Sequence, residues 1–364
     1  MNEIPEVMKG VQLIGNGGPE KLSFRDDIPT PEINEEEVLI EVKACGMNNT
    51  DINTRVGWYS KSVAAATSNE GFSNIEDENT WGGEKLSFPR IQGADPCGVV
   101  VDIGNTADQE LIGKRVIVDP CIRDPKSKNW RDNAKYLGSE IDGGFAQYCA
   151  VPSSNAHPVD SEMTDIELAS FPCSWATAEH MLTRSRLEKG QTVVVTGASG
   201  GVGTALIQLA KLREATVIAV TSTEKFDSIK GCGADLLLDR NEHDLKNKIL
   251  ELGQGPIDVL ADVTGGSDFA ELFETIDKGG CYTTAGAIAG PIVDLDLRIL
   301  YLNDLEMHGC TVYDPSVFKA LVGYIEDERV TPIIGGVFRL EEIRQAQEEF
   351  SKKQHVGTMV LTVD

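Results

Sequence analysis

The sequence predicts an α/β protein in which a doubly wound parallel sheet follows an antiparallel β region. A run of β-favouring residues, 193–196, enters a glycine-rich turn, and an apolar helical pattern begins directly after it. This is the order of a βαβ unit. Further strand-like runs alternate with helical segments, as parallel strands require; they occupy residues 216–220, 236–239, 259–263 and 280–286. Before about residue 158, short strands are separated by turns with few helical patterns, which predicts antiparallel pairing.

The glycine-rich turn is the candidate nucleotide-binding loop. Residues 196–203 read Thr-Gly-Ala-Ser-Gly-Gly-Val-Gly. The first turn of a helix presents unpaired N–H groups and the positive end of the helix dipole, and glycines let a pyrophosphate approach that backbone. We therefore predict that a dinucleotide binds at this turn, with a glycine turn that holds no ligand as the alternative. The predicted contacts are Ser199, Gly200, Gly201, Val202 and Gly203.

The length and composition limit the function. At 364 residues the chain exceeds one ordinary core, so two domains are expected. A net charge of −25 disfavours nucleic acid and anionic membrane surfaces as partners. No apolar run approaches the ~20 residues that span a bilayer, and residues 1–6 lack a signal-peptide pattern. With eight scattered cysteines and no Cys-x-x-Cys pair, the chain is predicted to be cytoplasmic, with reduced thiols.

Three polar stretches interrupt the β region. Residues 44–59 follow a strand, and loops placed by a rigid scaffold often carry chemistry. Residues 60–87 show little periodicity, which indicates either a lid or a disordered insertion. Residues 119–142 form another polar loop. The shape of the substrate pocket is expected to depend on residues 57–90 and 119–142.

Landmarks spread along the chain resemble those of the medium-chain dehydrogenase/reductase superfamily. They occur in the family's order and include the glycine-rich loop, Gly93-x-Asp95-x-x-Gly98, Asp262-Val263-Thr264-Gly265-Gly266 and His355-Val356-Gly357. The resemblance implies a catalytic domain of the GroES-like β-barrel type, formed by residues 1–157 and 311–364. It also implies a Rossmann domain formed by residues 158–310.

The superfamily contains zinc alcohol dehydrogenases and zinc-free reductases, which differ at three positions. The zinc enzymes have a Cys where this chain has Asn48 and a His where it has Ala94, and only Cys173 matches a zinc ligand. Catalytic zinc needs three protein ligands and an open position. The family's structural zinc lobe needs four closely spaced cysteines, whereas residues 119–142 contain only Cys121. The resemblance therefore implies an enzyme without a metal.

The segment from Gly46 to Tyr59 is similar to that of the superfamily's quinone and enoyl reductases, which have Gly-x-Asn-x-x-Asp and then a Tyr. Hydride addition to a polarised C=C–C=O system or a quinone develops negative charge on oxygen, which needs a hydrogen-bond donor and a proton. Tyr59 could supply both, and Asn48 could hold the substrate carbonyl or the nicotinamide ribose. The alternatives are a packing aromatic for Tyr59 and a turn residue for Asn48. Asp51 is expected to cap the following helix.

The end of the second strand of the βαβ unit indicates which dinucleotide binds. NAD-binding folds usually carry an acidic residue there, whereas this chain has Thr221 or Ser222 at that place, followed by Thr223 and Lys225. Hydroxyl and ammonium groups favour the 2′-phosphate of NADP(H) over the ribose diol of NAD(H). Glu224 would favour the diol if it pointed inward, and a solvated helix face is the alternative for Lys225.

Two further residues belong to the predicted cofactor site. Thr177 matches a family threonine near the nicotinamide, and a helix-interior threonine that bonds its own backbone is the alternative. Gly286 ends a strand at the edge where such folds bind the nicotinamide half.

The sequence thus predicts an NADPH-dependent oxidoreductase that transfers hydride to a quinone or an α,β-unsaturated carbonyl without zinc. The alternatives are an alcohol dehydrogenase and a catalytically silent NADP(H)-binding sensor. Many relatives in the superfamily pair through a Rossmann edge strand, so the resemblance implies a homodimer or tetramer, with contacts expected within residues 281–310.

Overall fold

The computed structural model describes residues 3–68, 70–72, 75, 79–124 and 126–363. The chain divides into two compact units. The first comprises Met1–Val63, Ser68–Cys173 and Asp314–Asp364, and the second comprises Ala64–Thr67 and Ser174–Tyr313. The domain boundaries predicted from the sequence, at 157/158 and 310/311, stay a prediction.

Strands dominate the first part of the chain, and strands alternate with helices in the second part. The strands are β1 (Val7–Leu13), β2 (Leu22–Pro29), β3 (Glu37–Met47), β4 (Arg90–Ile91), β5 (Asp95–Ile103), β6 (Arg115–Val118), β7 (Cys121–Ile122), β8 (Lys135–Tyr136), β9 (Tyr148–Pro152), β10 (Ala156–Pro158), β11 (Thr192–Val195), β12 (Thr216–Thr221), β13 (Leu236–Asp239), β14 (Ile257–Asp262), β15 (Ile276–Thr284), β16 (Glu306–Gly309), β17 (Ile334–Arg339) and β18 (Thr358–Thr362). The helices are α1 (Asn49–Val56), α2 (Asp165–Leu168), α3 (Pro172–Ser185), α4 (Gly201–Leu212), α5 (Phe226–Gly231), α6 (Leu245–Leu252), α7 (Phe269–Phe273), α8 (Leu297–Leu302), α9 (Pro315–Glu326) and α10 (Ile343–Ser351).

Strand β3 organises the first unit. It pairs antiparallel with β5 along one edge; along the other, its first half pairs with β9 and its second half with β18. The register places Met47 opposite Met359, so the last strand of the chain completes the central sheet. Apolar side chains of β3 such as Val38, Ile40 and Val42 are almost fully buried and lie in the core of this unit. The predicted antiparallel β region of GroES-like type is confirmed.

The second unit contains a six-stranded, all-parallel sheet with the strand order β13-β12-β11-β14-β15-β16. The order reverses at β11, so the carboxyl ends of β11, β12 and β14 meet at the edge where such sheets bind ligands. Helix α4 starts six residues after β11 ends and packs on β11 and β12. The predicted doubly wound parallel sheet is confirmed.

One segment of the second unit differs from the prediction. The sequence pattern predicts a helical segment over residues 268–277 before the strand-like run at 280–286, but α7 ends at Phe273 and β15 already begins at Ile276. The pairing of β14 with β15 is irregular: Ile257 lies opposite Ile276, whereas Val259 lies opposite Cys281. The extra residues include Gly279, whose φ of 76° favours glycine. The glycines near residue 279 therefore form a bulge inside a strand and do not mark its start.

Residues 60–87 contain a few buried anchor points, although most of the described residues in this stretch are exposed. Phe72 lies against the core of the first unit, and Asn79, Thr80 and Leu86 are buried. Residues 76–78, on which much of the expectation of a lid or insertion rested, lie outside the described residues.

Within the residues that the structure describes, no helix has both the length and the apolar character needed to cross a bilayer.

Candidate functional site

The glycine-rich loop of the second unit connects β11 to α4. Gly197 has a φ of 55°, in the left-handed region, and Gly200 precedes the helix without a side-chain cap. A Cβ atom on Gly203 would lie 2.3 Å from the Gly197 carbonyl oxygen, so this helix turn can approach the strand only because residue 203 lacks a side chain. The loop therefore presents the first N–H groups of α4 as an anion site, with Gly201 and Val202 in its first turn.

A buried carboxylate at the end of β14 holds this loop. Asp262 is 1% exposed. Its Oδ1 accepts hydrogen bonds from the Thr196 hydroxyl at 2.5 Å and the Thr264 backbone N–H at 2.8 Å. Its Oδ2 accepts from the Tyr282 hydroxyl at 2.9 Å and the Gly265 backbone N–H at 3.2 Å. Asp262 thus ties the start of the glycine-rich loop to the loop after β14 and to β15.

The predicted 2′-phosphate residues lie at the end of β12, next to the loop. Lys225 is 8% exposed, and its Nζ lies 3.3 Å from the Ser199 Oγ. Burial lowers the pKa of Lys225, and the neighbouring Arg240 lowers it further. Ser222 is buried and its hydroxyl donates to the exposed Glu224 carboxylate, which lowers the pKa of Glu224. The structure therefore brings Ser199 and Lys225 together, and it places an acidic group beside Ser222.

The remaining predicted cofactor residues lie on the same unit. Thr223 is exposed and donates a hydrogen bond to Asp239. Gly286 follows β15, and its carbonyl accepts a hydrogen bond from the Thr284 hydroxyl at 3.0 Å. Thr177 lies half-buried in α3. Gly286 thus lies beyond the carboxyl end of its strand, at the ligand-binding edge of the sheet.

In the first unit, Asn48 lies between β3 and α1 and is 8% exposed. Its backbone N–H donates to Asp51 Oδ2 at 2.8 Å, the hydrogen bond expected of a capping residue. Its side-chain Nδ2 donates to Asp95 Oδ2 at 2.8 Å. Asp95 Oδ1 in turn accepts the backbone N–H of Cys173 at 2.9 Å. We call Asn48, Asp51, Asp95 and Cys173 the Asp95 cluster.

Burial dominates the electrostatics of this cluster. It raises the pKa of the Asp51 carboxyl to about 7, although the N–H groups of Asn48 and Gly93 oppose the shift by donating to it. Burial also raises the pKa of Asp95 well above its ordinary range, against the donors Asn48 and Cys173, and the negative charge of Asp51 adds to the increase. Two carboxyl groups thus share an apolar interior.

Tyr59 follows the left-handed Gly57 that ends α1. It is half-buried, and its hydroxyl donates to the Thr50 Oγ1 at 3.0 Å. Burial raises its pKa to about 12, so the phenol carries its proton at neutral pH. The ring also packs edge-on against Trp58, with centroids 5.7 Å apart. Tyr59 therefore combines an aromatic contact with a placed hydroxyl.

Sequence reasoning missed three residues of these sites. Tyr136 stacks on Trp81 and donates from its hydroxyl to the Cys173 Sγ at 2.9 Å. Arg240 follows β13 and its N–H bonds the Thr221 carbonyl at 2.8 Å, which places it beside the end of β12. Asp95 was treated only as a landmark. A basic residue after the third strand of the parallel sheet is a signal that could have drawn attention to Arg240.

Comparisons with known proteins identify the family. Residues 34–161 match the alcohol dehydrogenase GroES-like domain family, and residues 201–327 match the zinc-binding dehydrogenase family. A crystal structure of a putative alcohol dehydrogenase from Sinorhizobium meliloti 1021 is 44% identical, covers 99% of this chain and 98% of its own, and has a TM-score of 0.90. The chain is therefore an oxidoreductase with a dinucleotide-binding fold. It belongs to the medium-chain dehydrogenase/reductase superfamily.

Two curated relatives show the range of activities named among similar proteins. An NAD-dependent alcohol dehydrogenase from Sulfurisphaera tokodaii is 26% identical over 97% of this chain and 99% of its own. A chloroplastic NADPH-dependent alkenal/one oxidoreductase from Arabidopsis thaliana is 27% identical over 98% of this chain and 80% of its own. The family implies a nicotinamide dinucleotide as cofactor. The first N–H groups of α4, and the close packing of Gly203 on the glycine-rich loop, fit the pyrophosphate of such a cofactor.

Zinc, which the family also implies, does not fit the residues present. Ala94 offers no ligand atom, the Asn48 amide already donates to Asp95, and Cys173 is left as one thiol where three ligands are needed. Among the residues described, no group of three or more His, Cys, Asp and Glu side chains is arranged to hold a metal ion.

Proposed function

We propose that this protein is an NADPH-dependent reductase that acts on the C=C bond of an α,β-unsaturated carbonyl, or on a quinone, without zinc. The Asp95 cluster carries the proposal. At the three positions where zinc enzymes of the family place ligands, this chain has the amide of Asn48, the methyl group of Ala94 and the thiol of Cys173. The carboxyl group of Asp95 accepts hydrogen bonds from the Asn48 amide and from the Cys173 backbone N–H.

The bound NADPH supplies the hydride. As negative charge develops on the substrate oxygen, the Asn48 amide can donate a hydrogen bond to it, which a neutral donor in a water-poor site does effectively. The Tyr59 phenol, with its pKa of about 12, holds a proton that it can deliver afterwards. Thr50, which accepts from Tyr59, fixes the direction of that hydroxyl.

Three groups support NADPH as the cofactor. Lys225 and Ser199 lie together at the loop, and the charge of Arg240 acts on Lys225. Glu224 beside Ser222 opposes this choice. We expect Lys225→Ala to lower the ratio of kcat/KM with NADPH to kcat/KM with NADH about tenfold, because one charge-assisted contact is lost. Glu224→Gln should raise the same ratio, and steady-state kinetics with both cofactors measure it.

Alcohol dehydrogenation is the second candidate, because relatives named as alcohol dehydrogenases cover almost the whole chain. Protein purified without chelators should be assayed for metal, for NADPH oxidation with enones and quinones, and for NAD(P)⁺ reduction with alcohols. We expect turnover with enones or quinones and no stoichiometric zinc. One equivalent of bound zinc with alcohol turnover would establish the second candidate, and NADPH binding without any turnover would favour the sensor.

Tyr59→Phe tests the proton donor. We expect kcat to fall about 100-fold while the affinity for NADPH is unchanged, because only the phenol oxygen is removed. Tyr324→Phe in α9 of the same unit is the matched control and should leave kcat unchanged. Equal turnover in wild type and Tyr59→Phe would remove Tyr59 from the mechanism.

A homodimer is proposed on a separate observation. The described strand β16 has β15 on one side and no described strand on the other, and large apolar side chains nearby are exposed. These are Ile292 (73%), Leu297 (63%), Tyr301 (62%) and Leu302 (64%). An open sheet edge beside an exposed apolar patch is typical of a pairing surface. The molar mass in solution, before and after Leu297→Asp, tests it. The predicted cytoplasmic location stays a prediction.

A further inference from the structure

Asn48 is held at two places by two buried carboxyl groups. Asp51 accepts its backbone N–H, and Asp95 accepts its side-chain Nδ2–H. Asp51 and Asp95 are 2% and 0% exposed, so neither exchanges these contacts for water. The backbone and the side chain of Asn48 are therefore fixed independently of each other.

The contact with Asp95 decides which way the amide faces. An asparagine side chain has a donor end and an acceptor end of nearly equal size, and it can turn over at little steric cost. Both oxygens of Asp95 face N–H donors, so this carboxyl group acts only as an acceptor here. Asp95 Oδ1 is already engaged by the Cys173 N–H at 2.9 Å, and Asp95 Oδ2 receives Nδ2 at 2.8 Å. The Nδ2 end of Asn48 is thereby selected, and its second N–H has no acceptor among the residues that the structure describes.

We propose that Asp95 is a positioning residue, which orients the Asn48 amide so that an N–H is presented to the substrate oxygen. This inference rests on the proposed function. Asp95 acts through Asn48 and touches neither substrate nor cofactor. In this chain, the carboxyl group that selects the donor end of the amide contacts two of the three positions that hold metal ligands in the zinc enzymes of the family.

The side chain of residue 95 can orient the Asn48 amide in this way only if both of its terminal atoms accept hydrogen bonds. In Asp95→Asn the new side chain keeps its size but has one oxygen. If that oxygen continues to accept from Cys173, the new NH₂ group faces Asn48, and the Asn48 amide must turn over to present its oxygen. The donor toward the substrate is then replaced by an acceptor. We expect kcat to fall about 10- to 100-fold, with KM for NADPH within about twofold of wild type.

Four variants test the proposal: Asp95→Asn, Asn48→Ala, the double variant Asp95→Asn/Asn48→Ala, and the exchange variant Asn48→Asp/Asp95→Asn. If Asp95 acts through Asn48, the double variant is no slower than Asn48→Ala alone. The exchange variant keeps every hydrogen bond of the pair with donor and acceptor reversed. It should therefore fold with nearly wild-type thermal stability and still be as slow as Asn48→Ala. Glu179→Gln, the same kind of change at a buried carboxyl of the second unit that pairs with Arg213, should lower stability without this loss of kcat.

A second readout does not depend on activity. In protein labelled with ¹⁵N-asparagine, one proton of the Asn48 side-chain amide should resonate downfield in wild type and lose that shift in Asp95→Asn. An unchanged amide signal in Asp95→Asn would overturn the positioning role, and so would additive losses of kcat in the double variant. If wild type reduces no enone or quinone, the proposed function fails, and the amide signal still decides whether Asp95 orients Asn48.

Discussion

Each unit of the protein contains a buried aspartate at one end of a strand, and the two are satisfied in different ways. Asp262, at the end of β14, accepts from three hydroxyls, those of Thr196, Thr264 and Tyr282, and from two backbone N–H groups of its own loop. Asp95, at the start of β5, accepts two N–H groups and lies near a second buried carboxyl, Asp51. Asp262 joins three segments of backbone, whereas Asp95 mainly orients one side chain. The comparison indicates that the former serves stability and loop shape, and the latter serves function.

The largest expected effect comes from Asp262→Ala. It leaves the buried hydroxyls of Thr196 and Tyr282 and the nearby N–H groups without their acceptor. We expect the free energy of unfolding to fall by about 3 kcal/mol, together with a loss of NADPH affinity, measured by urea unfolding and by cofactor titration. Asp258→Asn on the same strand is the control. Its Oδ2 accepts a single N–H, from Thr192 at 2.7 Å, and it should cost about 1 kcal/mol. Equal losses in the free energy of unfolding for the two variants would contradict the special role of Asp262 in stability.

Gly203→Ala tests the loop that Asp262 holds. The added Cβ would meet the Gly197 carbonyl oxygen at 2.3 Å, so the first turn of α4 must move away from β11. We expect the dissociation constant for NADPH to rise about 10- to 100-fold, because misplacement by roughly 1 Å has effects of this size.

The control for this variant is Gly231→Ala in α5. A Cβ there has no neighbour within 4 Å, so binding should be unchanged. A wild-type dissociation constant for Gly203→Ala would show that the loop is not the cofactor site.

A smaller effect concerns the pH dependence of stability, which should differ between the buried carboxyl group of Asp51 and an exposed one. The pKa of Asp51 is raised from 3.8 to about 7, so the folded protein holds a proton that the unfolded chain releases between those values. The contribution of Asp51 to stability is therefore complete below the unfolded pKa and is lost progressively as the pH rises to 7. The stability of wild type relative to Asp51→Asn should fall correspondingly between about pH 5 and about pH 7.

Urea unfolding of both proteins at several pH values measures this difference. Asp27→Asn is the control. The pKa of the exposed Asp27 is lowered by Arg25, so its contribution is already complete above its unfolded pKa and should stay constant over the same range. A pH-independent difference for Asp51 would contradict the burial that raises its pKa.

The sequence predicted the parts of this molecule that depend on local pattern. The strand, turn and helix around residues 193–212 follow from residues close together in the chain. Asp51 was expected to cap the helix, and it takes part in the cap from the first turn, with Asn48 as the N-cap residue. The β15 bulge was missed because its glycines look like a strand boundary. The link between Asn48 and Asp95 was missed because it joins residues far apart in the chain, and β3 and β5 must pair before they meet. Arg240 was missed for the same reason, since it reaches the end of β12 only through the pairing of β12 with β13.

The pairing of β3 with β18 has a consequence for how the protein is made. The second unit is almost entirely the continuous stretch Ser174–Tyr313, so its contacts can form as soon as that stretch leaves the ribosome. The central sheet of the first unit must wait for Thr358–Thr362, which follow the whole of the second unit in the chain. Until then β3 has an unpaired edge at Ala44–Met47, directly before Asn48. The second unit is thus expected to fold first during synthesis, and the first unit is completed only after residues 358–362 have left the ribosome.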